Sequence, residues 1–171
     1  MYSFGLGEDI SFDEAIIGEY GLHVWGFDMT PKALAYTKTR LKSIEPRHHF
    51  HLTGEGLSTE PGNVTFTLPK NKAFVSVRMG KGDPRARPAR AAPPANPRPS
   101  PSPPGERPGQ GGTITAPVNT LKNFMSRFGH KHVDILKLDI EGEEFPVIAD
   151  MAERSDFPFT QLLVETHLVA G

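Results

Sequence analysis

The chain contains no cysteine, so disulfide frameworks, thiolate zinc sites and thiol nucleophiles are all excluded. No run approaches the roughly 18–20 consecutive apolar residues of a membrane-spanning helix. The N-terminus lacks the basic segment followed by an apolar one that marks a secretory signal. These absences lead to the expectation of a soluble chain, with the cytoplasm as the default location. Charge of one sign is also scarce, since 19 basic against 20 acidic residues give a formal net charge of −1. Binding to a phosphate backbone needs a concentrated basic face, and no nucleic-acid partner is expected.

Residues 83–112 lack every Val, Ile, Leu, Met and aromatic side chain and hold ten of the seventeen prolines. Their five arginines face only Asp83 and Glu106, so the block is basic and the remainder acidic. Such a composition cannot bury enough apolar surface to offset the entropy of ordering. It reads as a disordered, partly polyproline-like insert, with a PxxP docking segment as the sharper alternative. Globular sequence lies on both sides. A length of 171 residues suits one domain, so the expectation is a single domain over 1–171 interrupted at 83–112.

Strand-like and helix-like runs alternate in the globular parts. Residues 1–4 are apolar, and Gly5 and Gly7 follow at once. Ser11 and Glu14 have the capping-box spacing that satisfies the first amides of a helix. Phe12, Ala15 and Ile16 would give that helix its apolar face, ending near Gly21. Residues 23–27 form a second strand closing on Asp28. Thr30 and Pro31 read as an N-cap and first helical residue, opening a helix through about Leu41. Residues 49–52 are a third strand, and the alternating run 64–68 is a half-exposed one. His48, His49 and His51 cluster here, but alternate strand residues face opposite sides, so no single metal site is expected from them.

Beyond the insert, Leu121, Phe124, Met125 and Phe128 recur at helical spacing before Gly129. Residues 133–138 are a strand ending on Asp139. Residues 143–153 are a helix with Pro146 in its first turn. Residues 161–164 are a last strand, ending near Glu165 and His167. This βαβ alternation predicts an α/β fold with a mainly parallel sheet.

Open α/β sheets bind ligands at the carboxyl ends of their strands. The strand ends here carry Gly5, Gly7, Glu8 and Asp9; Asp28; Asp139, Glu141 and Gly142; and Glu165 and His167. Glycines let a strand-to-helix turn pass close beneath a ligand. Asp28 follows them at about the 20-residue spacing of an acid that accepts hydrogen bonds from ribose hydroxyls. The ordinary reading of each piece alone is a tight turn or a helix-preceding Asp, and their convergence points to a nucleoside. A dinucleotide site has a third glycine where this chain has Ile10. Glu8 and Asp9 also place negative charge where a pyrophosphate would sit. S-adenosylmethionine has no phosphate and carries positive sulfonium and amino groups, so charge favours it over NAD.

The segments around Gly5 and Gly7, from Gly26 to Pro31 and from Leu162 to His167 accompany a denser motif. The pattern K-[IL]-D-[IV]-E-G-x-E is met by Lys137, Asp139, Glu141, Gly142 and Glu144. Together they make the chain resemble the FkbM-type methyltransferases over about residues 1–82 and 113–171. The resemblance implies a Rossmann-like class I methyltransferase sheet that binds S-adenosylmethionine. It implies that Gly5 and Gly7 line the methionine portion, Asp28 holds the ribose, and Gly56 and Leu57 fall near the adenine. Asp139 and Glu141 would face the sulfonium and a small-molecule acceptor, with O-methylation of a small molecule or sugar as the family-level activity. The family sheet has seven strands and this chain ends after the fifth. The expectation is therefore a truncated sheet with an uncovered edge open to a partner chain.

Methyl transfer is an in-line displacement in which the protein aligns donor and acceptor, and a hydroxyl acceptor also needs a base. Asp139, Glu141 and His167 are the candidate catalytic residues, with His167 the natural proton acceptor near neutral pH. Glu165 belongs to the same strand end. Carboxylates and a histidine could instead hold a divalent metal, and a solvated strand end is an equal reading of Glu165 and His167. An inactive relative that binds the methyl donor or only a partner stays open, and an NAD-dependent oxidoreductase is disfavoured.

Overall fold

The computed structural model describes residues 1–44, 46–67, 78–79 and 113–166, so the 83–112 insert and His167 lie outside the described residues. The elements in chain order are β1 (Tyr2–Phe4), α1 (Ser11–Tyr20), β2 (Val24–Phe27), α2 (Pro31–Arg40), β3 (Phe50–Thr53), β4 (Gly56–Leu57), β5 (Gly62–Thr67), β6 (Arg78–Met79), β7 (Thr113–Asn119), α3 (Leu121–Phe128), β8 (Val133–Leu138), α4 (Glu144–Glu153) and β9 (Phe159–Val164). A five-stranded sheet runs β3-β2-β1-β8-β9, and every neighbouring pair in it is parallel. The α/β expectation holds, and the apolar run at β1 has a simple cause. Helices cover a parallel sheet on both faces, so β1 is buried throughout.

One face carries Tyr2, Phe4, Phe27, Leu136 and Leu138, packed under Phe124 and Met125 of α3 and Val147 and Met151 of α4. Phe4 and Phe27 stack at 4.2 Å, and the Phe124 ring lies 4.7 Å from Phe27. The Tyr2 hydroxyl meets His130 Nδ1 at 2.8 Å, and burial pushes the Tyr2 phenol up to about 12. The other face carries Val24 and Phe50 against Ile16 and Ile17 of α1, with Leu6, Ile10 and Ile44.

Helix ends differ from the sequence reading in one place. Gly21 and Gly129 close α1 and α3 in the left-handed conformation, and Pro31 follows an extended Thr30, all as expected. The capping box of Ser11 and Glu14 is not formed. Ile10 occupies the N-cap position of α1 without a side-chain bond, and Asp9 Oδ1 accepts from the Ser11 amide at 2.9 Å. Glu14 is drawn instead to Arg40 of α2, which reaches it with two guanidinium nitrogens. The buried face of α1 is Asp13, Ile16 and Ile17, while Phe12 is 40 % exposed.

A second sheet, ordered β4-β7-β5-β6, is the larger surprise. β5 appears in the sequence as an alternating strand, but β7 does not, because Pro117 interrupts its pattern. β7 pairs antiparallel with β5 from Gly62↔Val118 to Thr67↔Thr113 and parallel with β4. Proline is tolerated where its missing amide faces no ladder partner. At the far end of the first sheet β9 has β8 as its strand neighbour among the described residues, and Leu162 and Leu163 are exposed.

Phe124→Ala should cost about 3–5 kcal/mol of stability in urea unfolding, the usual loss for a buried ring. A cost under about 1 kcal/mol would mean that α3 does not bear on the sheet.

Candidate functional site

Strand register places the candidate residues in one row. Phe27, Phe4, Leu138 and Val164 are successive partners across β2, β1, β8 and β9. The next residue of each strand is held by its neighbour. The Asp28 amide donates to Thr53 O at 3.2 Å, Gly5 to Phe27 O at 2.9 Å, Asp139 to Phe4 O at 3.0 Å, and Glu165 to Leu138 O at 2.9 Å. Asp28, Gly5, Asp139 and Glu165 therefore stand side by side at the carboxyl edge. The strand order reverses between β1 and β8, where an open α/β sheet leaves its crevice.

A cavity of about 120 Å³ lies there, lined by Phe4, Gly5, Gly7, Phe27, Asp28, Met29, Thr30, Gly56, Leu57, Asp139, Ile140, Glu141 and Glu143. It brings together Gly5, Gly7, Asp28, Gly56, Leu57, Asp139 and Glu141 from the sequence reading. Glu165 stands in the row without lining the cavity, and His167 falls outside the described residues. The enclosed part is about the size of a pocket that takes one aromatic ring. A broader concavity of about 1140 Å³ runs along α3 and α4, past Thr120, Met125, Val147 and Met151, and includes none of the strand-end residues. Size favours it, but it lies away from the strand-order reversal and holds none of the acids and glycines of the strand ends, so the strand-end cavity is the stronger candidate.

Gly5 is required by contact as well as by conformation. Its φ is +79°, and a Cβ there would lie 1.7 Å from the Asp139 carbonyl oxygen. The contact at Gly56 is softer, since a Cβ on it would fall 2.8 Å from the sulfur of the flexible Met29 side chain. Glu55, just before Gly56, is bound by both terminal guanidinium nitrogens of Arg127, which holds its carboxyl below the usual range.

Two buried carboxylates fix the turns around the cavity. Asp28 Oδ2 accepts from the amides of Leu6 at 3.0 Å and Gly7 at 3.1 Å. Asp28 Oδ1 accepts from the Thr30 amide at 2.8 Å and hydroxyl at 2.7 Å. Those four donors meet the roughly four lone-pair positions of a carboxylate. After β8, Glu144 does the corresponding work with no exposed surface. Its Oε1 accepts from the Ile140 amide at 2.8 Å and its Oε2 from the Gly142 amide at 2.9 Å. Between those amides Glu141 sits at φ +54°, a conformation that costs a non-glycine residue about 1–2 kcal/mol. The motif contains Glu144, but its spacing alone does not reveal this role. Glu143, missed in the sequence, lines the cavity, and burial followed by the neighbouring Glu144 pushes its carboxyl up.

The acidic turn is less negative than its residues suggest. Glu8 pairs with Lys32 at 2.6 Å. The charge argument against a pyrophosphate is weaker for it, and a geometric one takes its place. Pyrophosphate binding uses amides free at the glycine turn, and here Leu6 and Gly7 give theirs to Asp28. His49 and His51 gather instead on His23, stacked at 4.2 Å and 5.4 Å, and neither lines the cavity. Among the described residues no three His, Asp or Glu side chains are placed to hold a metal ion, and no helix is long and apolar enough to cross a membrane.

Residues 12–170 match the family described as Methyltransferase FkbM domain, a span that takes in every cavity residue except Phe4, Gly5 and Gly7. No curated protein and no solved structure matches the chain.

Gly5→Ala should lower the stability of the whole domain by more than about 2 kcal/mol in thermal unfolding, because the obstacle is backbone and cannot turn aside. Gly7→Ala is the control, since a Cβ there meets nothing within 4 Å although its φ of +56° still carries strain. Equal losses in the two variants would remove the contact with Asp139 from the account.

Proposed function

The chain belongs to the FkbM methyltransferase domain family, and on that premise we propose that it transfers a methyl group from S-adenosylmethionine to an oxygen of a small molecule or sugar. The observation that carries this reading is the convergence of Gly5, Gly7, Asp28, Gly56, Leu57, Asp139 and Glu141 on one cavity at the strand-order reversal. The fit of the donor is supported by the chemistry of that lining. Carboxylates at 28, 139, 141 and 143 suit a ligand with positive sulfonium and amino groups. The engagement of the Leu6 and Gly7 amides by Asp28 speaks against a dinucleotide phosphate.

In this reading Gly5 and Gly7 give backbone access to the methionine portion, and Gly56 and Leu57 offer a small and an apolar surface to the adenine. A ribose hydroxyl would reach Asp28 by taking the position of the Thr30 hydroxyl, the one donor of the four that turns freely about its own bond. When bound, the donor supplies an activated methyl group. The chain's part is to align the acceptor oxygen and take its proton. Asp139 and Glu141 are placed for alignment, and His167 is the base we assign, two residues past Glu165. The exposed edge of β9, with Leu162 and Leu163, supports the further element that a partner chain adds to the sheet there.

Calorimetric titration with S-adenosylmethionine, its demethylated product and NAD tests the reading. Binding of the first two and not of NAD is expected, with Asp28→Ala weakening both by about 10–100-fold. Selective binding of NAD, or binding of none by a folded chain, would end the cofactor assignment.

A further inference from the structure

Beneath the glycine turn, on the sheet face covered by α1, a polar group interrupts an apolar interior. Ser3 of β1 and Asp13 of α1 are 0 % and 1 % exposed, and Ser3 Oγ and Asp13 Oδ1 have no hydrogen-bond partner. Lys137 of β8 lies on the same face, since its neighbours Leu136 and Leu138 point into the core on the other side. Its ammonium donates to the Gly5 carbonyl at 3.4 Å and stands 3.7 Å from Asp139 Oδ2. The Lys137 and Asp139 side chains are 23 % and 29 % exposed. An ordinary solvated ion pair of this length would contribute little. The buried Asp13 changes that balance, because a charge out of water is costly once its countercharge is gone.

We propose that Lys137 is the positioning residue of the cavity: its ammonium ties the Gly5 carbonyl to the Asp139 carboxylate across the end of β1 and β8, and supplies the charge that the buried Asp13 faces. For its effect on ligand binding this inference rests on the S-adenosylmethionine reading above. Its effect on the fold does not.

Burial pushes the Asp13 carboxyl up, and the charge of Lys137 opposes it. The other charged group acting on it is Asp9 in the turn, which itself feels Lys137 and Arg40; Asp139 and Glu14 are paired with Lys137 and Arg40 respectively. A carboxyl whose pKa is raised on folding favours the fold while protonated, and that contribution is lost as pH rises through the folded value. Removing Lys137 raises it further. The loss of stability in such a variant is therefore large well above the carboxylate range and shrinks as pH falls toward it.

The test is thermal unfolding of the full chain as wild type, Lys137→Met, Lys137→Arg and the Asp13→Asn, Lys137→Met double variant, at about pH 8 and about pH 5. Lys137→Met should lower Tm by about 5 °C at the higher pH and by less than half of that at the lower. Asp13→Asn should restore most of the loss, and Lys137→Arg should show little. In parallel, Lys137→Met should weaken S-adenosylmethionine binding about tenfold, with Lys137→Arg close to wild type. A loss equal at both pH values and unrelieved by Asp13→Asn overturns the inference whatever the ligand does. A pH-dependent loss with unchanged affinity reduces Lys137 to an element of the fold and overturns its positioning role. If Lys137→Met does not fold, a folded double variant supports the inference and an unfolded one sinks it. A wild type that binds no S-adenosylmethionine ends the cofactor reading alone, and the pH series still decides Lys137.

Discussion

Where β1 and β8 end, the two backbones pass so closely that a Cβ at Gly5 would lie 1.7 Å from the Asp139 carbonyl oxygen. Everything else at the carboxyl edge is arranged around that approach. β1 is flanked by β2 and β8 in a parallel sheet, so the chain must leave it on one side and return on the other. The turns after β1 and β8 are thereby forced together, and the space between them opens into the cavity. A side chain at Gly5 would push the two strand ends apart, and with them Phe4 from its register partner Leu138.

The polar groups near the cavity divide into those that hold it and those that face it. Asp28 and Glu144 are buried and accept from backbone amides of the turns after β1 and β8, respectively. Their carboxylates stand in for the amide partners that irregular backbone lacks, which is how a buried turn escapes the cost of unpaired donors. Glu141 is kept in a left-handed conformation by the bonds that Glu144 makes on either side of it. Strain of this kind persists where surrounding bonds over-determine the backbone, and it fixes the direction of a side chain at a site. Asp139, Glu141 and Glu143 remain as the acidic wall of the cavity.

The small second sheet supplies the opposite wall. β4 is two residues long, and its place is secured by parallel pairing with β7, whose own register is set by six further pairings with β5. Through that chain of pairings residues more than fifty positions downstream decide where Gly56 and Leu57 lie. Among the described residues the first sheet ends on β9, where Leu162 and Leu163 are exposed on the opposite flank from β3.

The order of the helices and of the parallel strands was legible in the sequence, because burial on one face of a helix or on both faces of a strand imposes a period that neighbouring residues display by themselves. The acids and glycines at the strand ends were legible for the same reason: each follows an apolar run at once. The K-x-D-x-E-G-x-E motif identified the family because it concentrates that pattern in one turn. Other features depended on residues far apart in the chain. Whether Asp28 faces a ligand or the Leu6 and Gly7 amides, whether Glu14 caps its own helix or binds Arg40, and whether Pro117 sits in a strand are choices between partners. The role of Lys137 is of this kind too, since the Gly5 carbonyl and Asp13 come from β1 and α1. Sequence determined which residues could donate, accept or be buried; only the tertiary structure decided which of them met, because a hydrogen bond or ion pair forms only when packing brings its two groups within about 3–4 Å of each other.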